Sequence, residues 1–440
     1  MAHDPSPNGA DSRLFGLFIG LLFWLPIPFG SNRPWAVALF ACITFGLLLC
    51  WLALFVKQRV ALPHTFVRSW FVISALGTTQ IWVFISLYDI PLLTSGSLDP
   101  SRSLQKLLLG LSLTALFCLT LLLLTSRRRI KLVIFTLIIS GICQALYGGM
   151  MVLSDIEAVA TGTFINRNHL AGYLELCLAV GIGFMIASLN DNAASNWRDV
   201  GRRMLKTVLG PKSRVRIGLV IMVAALVMTH SRMGNTAFFA SMTLAGIIAL
   251  ILSKRASKAT IILLTSLILI DVAVVGTFFG VENVVNRIEN TTLVSERRDD
   301  VDLYAWVLLQ DNLLTGTGAG SFYGVFPEYR EEYIGPSFFD QAHNDYLQFQ
   351  IELGLIGFVP LLSAVLLTFL MALRAQWVRK EPLMRGLSFS VIMAIIAFGI
   401  HSTVDFNLQI PSNAATFMVI LALGWISVYF KEKRRSKTKD

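Results

Sequence analysis

With 440 residues, 55% of them hydrophobic and only 15% charged, and a mean hydropathy of +0.66, the chain is not a soluble globule. Its formal net charge of +10 invites a nucleic-acid partner. The basic residues, however, lie in short runs between apolar segments, a pattern that points to anionic lipid headgroups and excludes nucleic acid.

Apolar runs long enough to cross a hydrocarbon core of roughly 30 Å recur along the chain. About twelve are predicted, at 14–30, 34–56, 66–88, 104–125, 130–153, 168–189, 215–230, 234–252, 260–281, 347–373, 385–403 and 412–430. The first contains Pro26 and Pro28 and reads as an uncleaved span, not a signal peptide. The fold class is thus an all-α polytopic membrane protein, one integral membrane domain over 1–440. With a cytoplasmic N-terminus, the internal loops collect most of the Lys and Arg. These include SRRRIK at 126–131, the basic loop 190–214, SKRASK at 253–258 and the basic tail 431–440. The bias alternates through all twelve spans and leaves both termini cytoplasmic. All five cysteines fall inside apolar spans without metal-ligand spacing, so neither disulfides nor a cysteine metal site is expected.

One outer loop is large, 282–346. Within it Leu303, Trp306, Val307, Leu309 (or Gln310) and Leu313 recur at helical spacing, which predicts an amphipathic helix lying against the membrane domain on that stripe. GTGAG at 316–320 imitates a dinucleotide loop, but no strand–helix unit surrounds it and it reads as a turn.

Polar groups are expensive at membrane depth, so the outer ends of the spans are where chemistry is sought. Four stretches qualify: TGTFINRNHLAGY (161–173), THSRMGN (229–235), FFDQAHNDYLQFQIELGLIGF (338–358, with Arg330 just upstream) and HSTVDFNLQIPSN (401–413). Arg167 and Arg232 break the positive-inside pattern, in turns too short to be free tethers. Guanidinium groups held there suit a diphosphate, which accepts forked, charge-assisted hydrogen bonds. The alternative is that each reaches to headgroups or pairs with a loop carboxylate.

Asp340 is a fair N-cap for the tenth span, which puts His343 in its first turn. There the helix dipole disfavours the imidazolium, and a neutral imidazole can take a proton from a hydroxyl. A histidine that only anchors the loop is the competing reading. If the helix runs on, Gln348 lies one turn above Glu352. His169, His230, His343 and His401 cluster near outer ends and raise a metal site, but none pairs at H-x-x-x-H spacing, so no metal is expected. Glu175, Asp271 and Glu352 could serve a proton-coupled transporter or flippase. With no visible repeat of two halves, Glu175 and Glu352 read instead as hydrogen-bonding partners within the helix packing.

The segments GTFINRNHLAGY, SRMG, DNLLTGTGAGSF, FPEYR, AHNDYLQFQIELGLIG and VDFNLQIPSN, in that order over roughly 160–415, resemble the O-antigen ligase and O-antigen polymerase-like membrane proteins. The resemblance implies a membrane-embedded glycosyltransferase of the Gram-negative inner membrane, with its active site facing the periplasm and an undecaprenyl-diphosphate-linked glycan as donor. It implies no metal or nucleotide cofactor, because the donor arrives activated. Carried over, Arg167 and Arg232 bind the donor diphosphate and His343 deprotonates the acceptor hydroxyl. Arg330, Asn344, Glu352, Asp405, Asn166 and His169 are further candidates for donor or acceptor binding or for ordering the loops. The acceptor implied is another glycan, lipid A–core or a protein, and a polysaccharide assembly complex is a conceivable partner. The full NRNHLAGY and VDFNLQIPSN stretches are more similar to polymerases than to lipid A–core ligases.

Overall fold

Prolines open several of the helices: Pro34, Pro100, Pro382 and Pro411 occupy first-turn positions, where a missing N–H costs nothing. Asp99, Ser126, Asn166 and Asn344 are N-caps, each accepting a hydrogen bond from a first-turn amide. The computed structural model describes residues 9–188, 211–252, 265, 293–329 and 340–431.

Among these, fourteen α-helices follow one another. They are α1 (Gly9–Trp24), α2 (Pro34–Val56), α3 (His64–Arg68), α4 (Trp70–Ile85), α5 (Pro100–Leu123), α6 (Arg127–Leu153) and α7 (Arg167–Ala187). After these come α8 (Pro211–Met228), α9 (Arg232–Leu252), α10 (Leu293–Asp311), α11 (Phe322–Tyr329), α12 (Asp345–Val378), α13 (Pro382–His401) and α14 (Pro411–Tyr429). One small antiparallel hairpin pairs Asp89 with Ser95 and Ile90 with Thr94. Eight of the helices, α2, α5, α6, α7, α9, α12, α13 and α14, are long and apolar enough to cross a membrane. The run expected at 66–88 is divided at Ser69 into α3 and α4, and the first run ends at Trp24 ahead of its prolines. The span expected at 260–281 lies outside the described residues, as do most of the basic loop 190–214 and tail 431–440.

α7, α13 and α14 form the centre of the bundle, with 83%, 72% and 94% of their apolar windows buried. Where α7 crosses α13 both backbones are bare: a Cβ on Gly386 would stand 2.3 Å from the Gly183 carbonyl oxygen, and one on Gly183 equally close to that of Gly386. Helices in lipid gain most of their attraction from such close packing, because hydrocarbon competes for apolar side chains.

α12 is broken at Gly354 (φ 60°, ψ 179°), and the GTGAG turn fills the break. Leu355 and Ile356 amides donate to the Leu313 and Leu314 carbonyls, while Thr317 and Gly318 amides donate to Ile351 and Glu352. Irregular backbone is tolerated at such depth only when its polar groups are paired in this way. The turn therefore has a structural purpose that its glycines serve: a Cβ on Gly316 would stand 2.4 Å from the Gly354 nitrogen.

α10 docks on α12 through Val301, Ala305, Leu308 and Leu309, in one cluster with Phe322, Phe326 and Ile351. The face expected to dock is the wrong one, except for Leu309: Leu303, Trp306, Val307 and Leu313 are all exposed. Two apolar stripes share this helix, and the smaller, alanine-bearing one allows the closer approach.

The bundle has two unlike ends. At one, Arg129 meets Asp11 at 2.6 Å, Arg127 meets Glu381 at 3.1 Å, and Arg379 donates to the Ser427 and Phe430 carbonyls at the C-terminus of α14. The other gathers the N-termini of α5, α7, α9, α12 and α14 with the C-termini of α4, α6, α8 and α13, and there the polar stretches converge.

Candidate functional site

Each candidate side chain is placed by a helix end. Asn166 caps α7 by accepting from the Asn168 amide at 2.9 Å, which makes Arg167 the first helical residue and turns His169 inward. The loop before it is pinned, since the Thr163 hydroxyl donates to the Pro26 carbonyl at 2.6 Å and its amide to Gln144 Oε1 at 3.0 Å. At α9, Ser231 accepts from the Gly234 amide at 3.2 Å, and Asn235 donates back to the Ser231 carbonyl at 2.7 Å. Arg232 is thereby the first residue of α9. The two helix starts are neighbours, because a Cβ on Gly234 would stand 2.6 Å from that of Ala171. Both arginines are exposed, and among the described residues neither has an ion-pair or hydrogen-bonding partner. Two neighbouring helix N-termini, each carrying a guanidinium, favour an anion at this end.

His343 is not in the first turn of its helix. Asn344, not Asp340, is the cap, accepting from the Leu347 amide at 3.1 Å, so His343 precedes the cap with φ 53°. Tertiary bonds decide this: Gln348 accepts from the Ala342 amide at 3.1 Å and donates to Gln341, which holds 341–343 out of the helix. The imidazole is one-fifth exposed, its Nδ1 3.9 Å from Asp405 Oδ1. Its edge faces Phe406 with ring centres 4.9 Å apart, and the same phenyl ring meets His169 at 4.7 Å. Phe406 thus bridges the His343 loop to the first turn of α7, which carries Arg167.

Beneath lies a buried polar chain. Asp405 Oδ1 accepts from the Phe406 amide at 2.9 Å, and Oδ2 stands 3.9 Å from His401 Nε2. His401 Nδ1 shares a 2.7 Å hydrogen bond with Glu175 Oε1. Asp345, not singled out from the sequence, accepts from the Ser402 hydroxyl at 2.9 Å and the Leu408 amide at 3.0 Å, and so ties α12 to the α13–α14 connection. Glu352 lies deeper, accepting from the Gly320 amide at 2.7 Å and from Gln348 at 3.0 Å, the one-turn relation expected of the latter pair. Arg330 and Asp271 lie outside the described residues. Lys106 was not singled out from the sequence, nor was Gln409 within its 401–413 stretch; they are joined at 2.7 Å across α5 and the turn before α14.

These elements define a polytopic α-helical membrane protein with a cationic, histidine-bearing site at one end of its bundle. Residues 217–362, from α8 to the middle of α12 and including Arg232 and His343, match the O-antigen ligase family. The match takes in about a third of the chain and supports a likeness to the O-antigen ligase/polymerase-like membrane proteins. No curated protein matches it in sequence.

Proposed function

We propose that the chain transfers a glycan from an undecaprenyl-diphosphate donor to an acceptor hydroxyl at the periplasmic face of the inner membrane. The acceptor is most readily the growing end of another lipid-linked repeat. What carries this reading is the position of His343: it faces Asp405 on one side, while Phe406 links it to the α7 end where Arg167 stands beside the start of α9 and Arg232.

In the reaction, the acceptor oxygen attacks the anomeric carbon as His343 takes its proton through Nε2, the nitrogen turned away from Asp405. A new glycosidic C–O bond forms and the bond to the diphosphate breaks, its electron pair leaving with the lipid diphosphate. Charge grows on that leaving group, where fixed guanidiniums and helix N-termini stabilise it most. Asp405 favours the imidazolium that results, and its contact closes from 3.9 Å as catalytic hydrogen bonds tighten in the complex. Two guanidiniums supply the neutralising charge, so no metal is required.

A ligase acting on lipid A–core is the second reading, since the same donor site would serve it. A deletion strain separates them. Loss of free polymer with intact lipopolysaccharide supports the polymerase. Bare lipid A–core with accumulated lipid-linked polymer supports the ligase. Unchanged polysaccharide of both kinds would overturn the proposal.

A further inference from the structure

A cavity of ≈ 680 Å³ opens at the site end between α2, α5 and the 340–352 stretch. Its lining is rich in planar amides, among them Gln105, Gln341, Gln348 and Gln409. Its three cations, Arg33, Arg102 and Lys106, are equalled in number by Asp99, Asp340 and Glu352, and Arg102 pairs with Asp99 at 3.2 Å. The lining thus carries no net formal charge, and a saccharide finds there what its hydroxyls need, donors and acceptors side by side. Gln409 provides the sharpest sign. Its Oε1 accepts from Lys106, but its Nε2, on a residue only 7% exposed, has no partner among the described residues. A buried amide donor left open costs about 1–3 kcal/mol and is expected to have an acceptor in the working state.

Below this cavity, and sharing Lys106, Leu109, Glu352 and Gln409 with it, a second one of ≈ 160 Å³ runs between α4, α5, α12 and α14. The rest of its lining is almost wholly apolar, for example Leu76, Leu113 and Leu421. The polar cavity is walled by Asp340 and Gln341, three and two residues before His343.

We propose that the adjoining cavities are the acceptor site. The upper one seats the saccharide whose hydroxyl attacks, and the lower one seats the lipid that anchors it. This rests on the glycosyl-transfer reading and adds to it the place where the acceptor is held.

The test uses the full chain in phosphatidylcholine nanodiscs. The probe is an alkyl-chain oligosaccharide with a diazirine in the chain and no phosphate. Labelling is expected on the peptides carrying Leu76, Leu113 or Leu421. Loss of a hydrogen bond or blockage of the cavity lowers it by about tenfold in Gln409→Leu and Gln105→Trp, while Arg167→Ala leaves it unchanged. The same alkyl alcohol without sugar competes weakly. Gln105 is exposed, so Gln105→Trp decides the matter alone if Gln409→Leu fails to accumulate. Labelling elsewhere, labelling indifferent to Gln105→Trp, or equal competition by the sugar-free alcohol would overturn the site. The probe undergoes no transfer. Expected labelling without glycosyl transfer would therefore sink the reaction and spare the cavity, and transfer with indifferent labelling would do the reverse.

Discussion

His401 and Glu175, both wholly buried, share a 2.7 Å hydrogen bond that ties α13 to α7 directly beneath the candidate site. Neither helix offers the other side chain a second partner among the described residues: Glu175 Oε2 and His401 Nε2 have no hydrogen bond. Removing one member leaves the other buried and open, at a cost of about 1–3 kcal/mol. Glu175→Leu is expected to lower the unfolding temperature in detergent, and Glu175→Gln, which keeps an acceptor for His401, to lower it less. Equal losses from the two would show that the hydrogen bond contributes nothing.

The general-base role assigns different weights to His343 and Asp405. His343→Ala is expected to reduce turnover by about 10²–10⁴-fold, the usual contribution of a positioned base. Asp405→Asn should reduce turnover less and leave the apparent affinity for donor unchanged, because Asp405 faces the imidazoles of His343 and His401 and its own loop, not the arginines. Steady-state kinetics with varied donor distinguish these effects. Full activity in His343→Ala would remove the base from the mechanism.

In the proposed reaction Arg167 and Arg232 act on the leaving group, so Arg167→Lys should not rescue what Arg167→Ala loses. A lysine keeps the charge but not the forked donors that match a diphosphate. Each alanine variant is expected to lower turnover by about 10²–10³-fold, with the protein still accumulating, since both side chains are exposed. Normal glycan lengths in either variant would exclude the diphosphate role.

The crossing of α7 and α13 predicts a stability effect remote from the chemistry. Gly386→Ala places a Cβ against the Gly183 carbonyl, a backbone atom that cannot step aside, and overpacking of this kind costs about 1–3 kcal/mol. Gly20→Ala, where nothing lies within 4 Å, is the control and should be neutral or slightly stabilising. Thermal unfolding in detergent reads both, and equal behaviour would contradict the close crossing.

Much of this architecture was legible in the sequence because hydropathy and loop charge depend on composition. Arg167, Arg232 and His343 could be assigned to one end by counting spans. Three features could not be read, each because tertiary bonds decide it. The cap fell to Asn344 since Gln348 holds 341–343 away from the helix. The docking face of α10 was misjudged because two apolar stripes compete on one helix, and the one with the smaller residues won. The break at Gly354 is visible only once GTGAG is seen to fill it. Lys106 and Gln409 were hidden for a related reason: about three hundred residues apart in sequence, they acquire meaning from the cavity they share.

The most direct measurement adds purified chain in detergent, with chelator and without any ion gradient, to undecaprenyl-diphosphate-linked repeat units. The account predicts glycans longer than one repeat, in an amount unaffected by the chelator and lost in His343→Ala. No elongation from active donor, or elongation that requires added divalent metal, would contradict it.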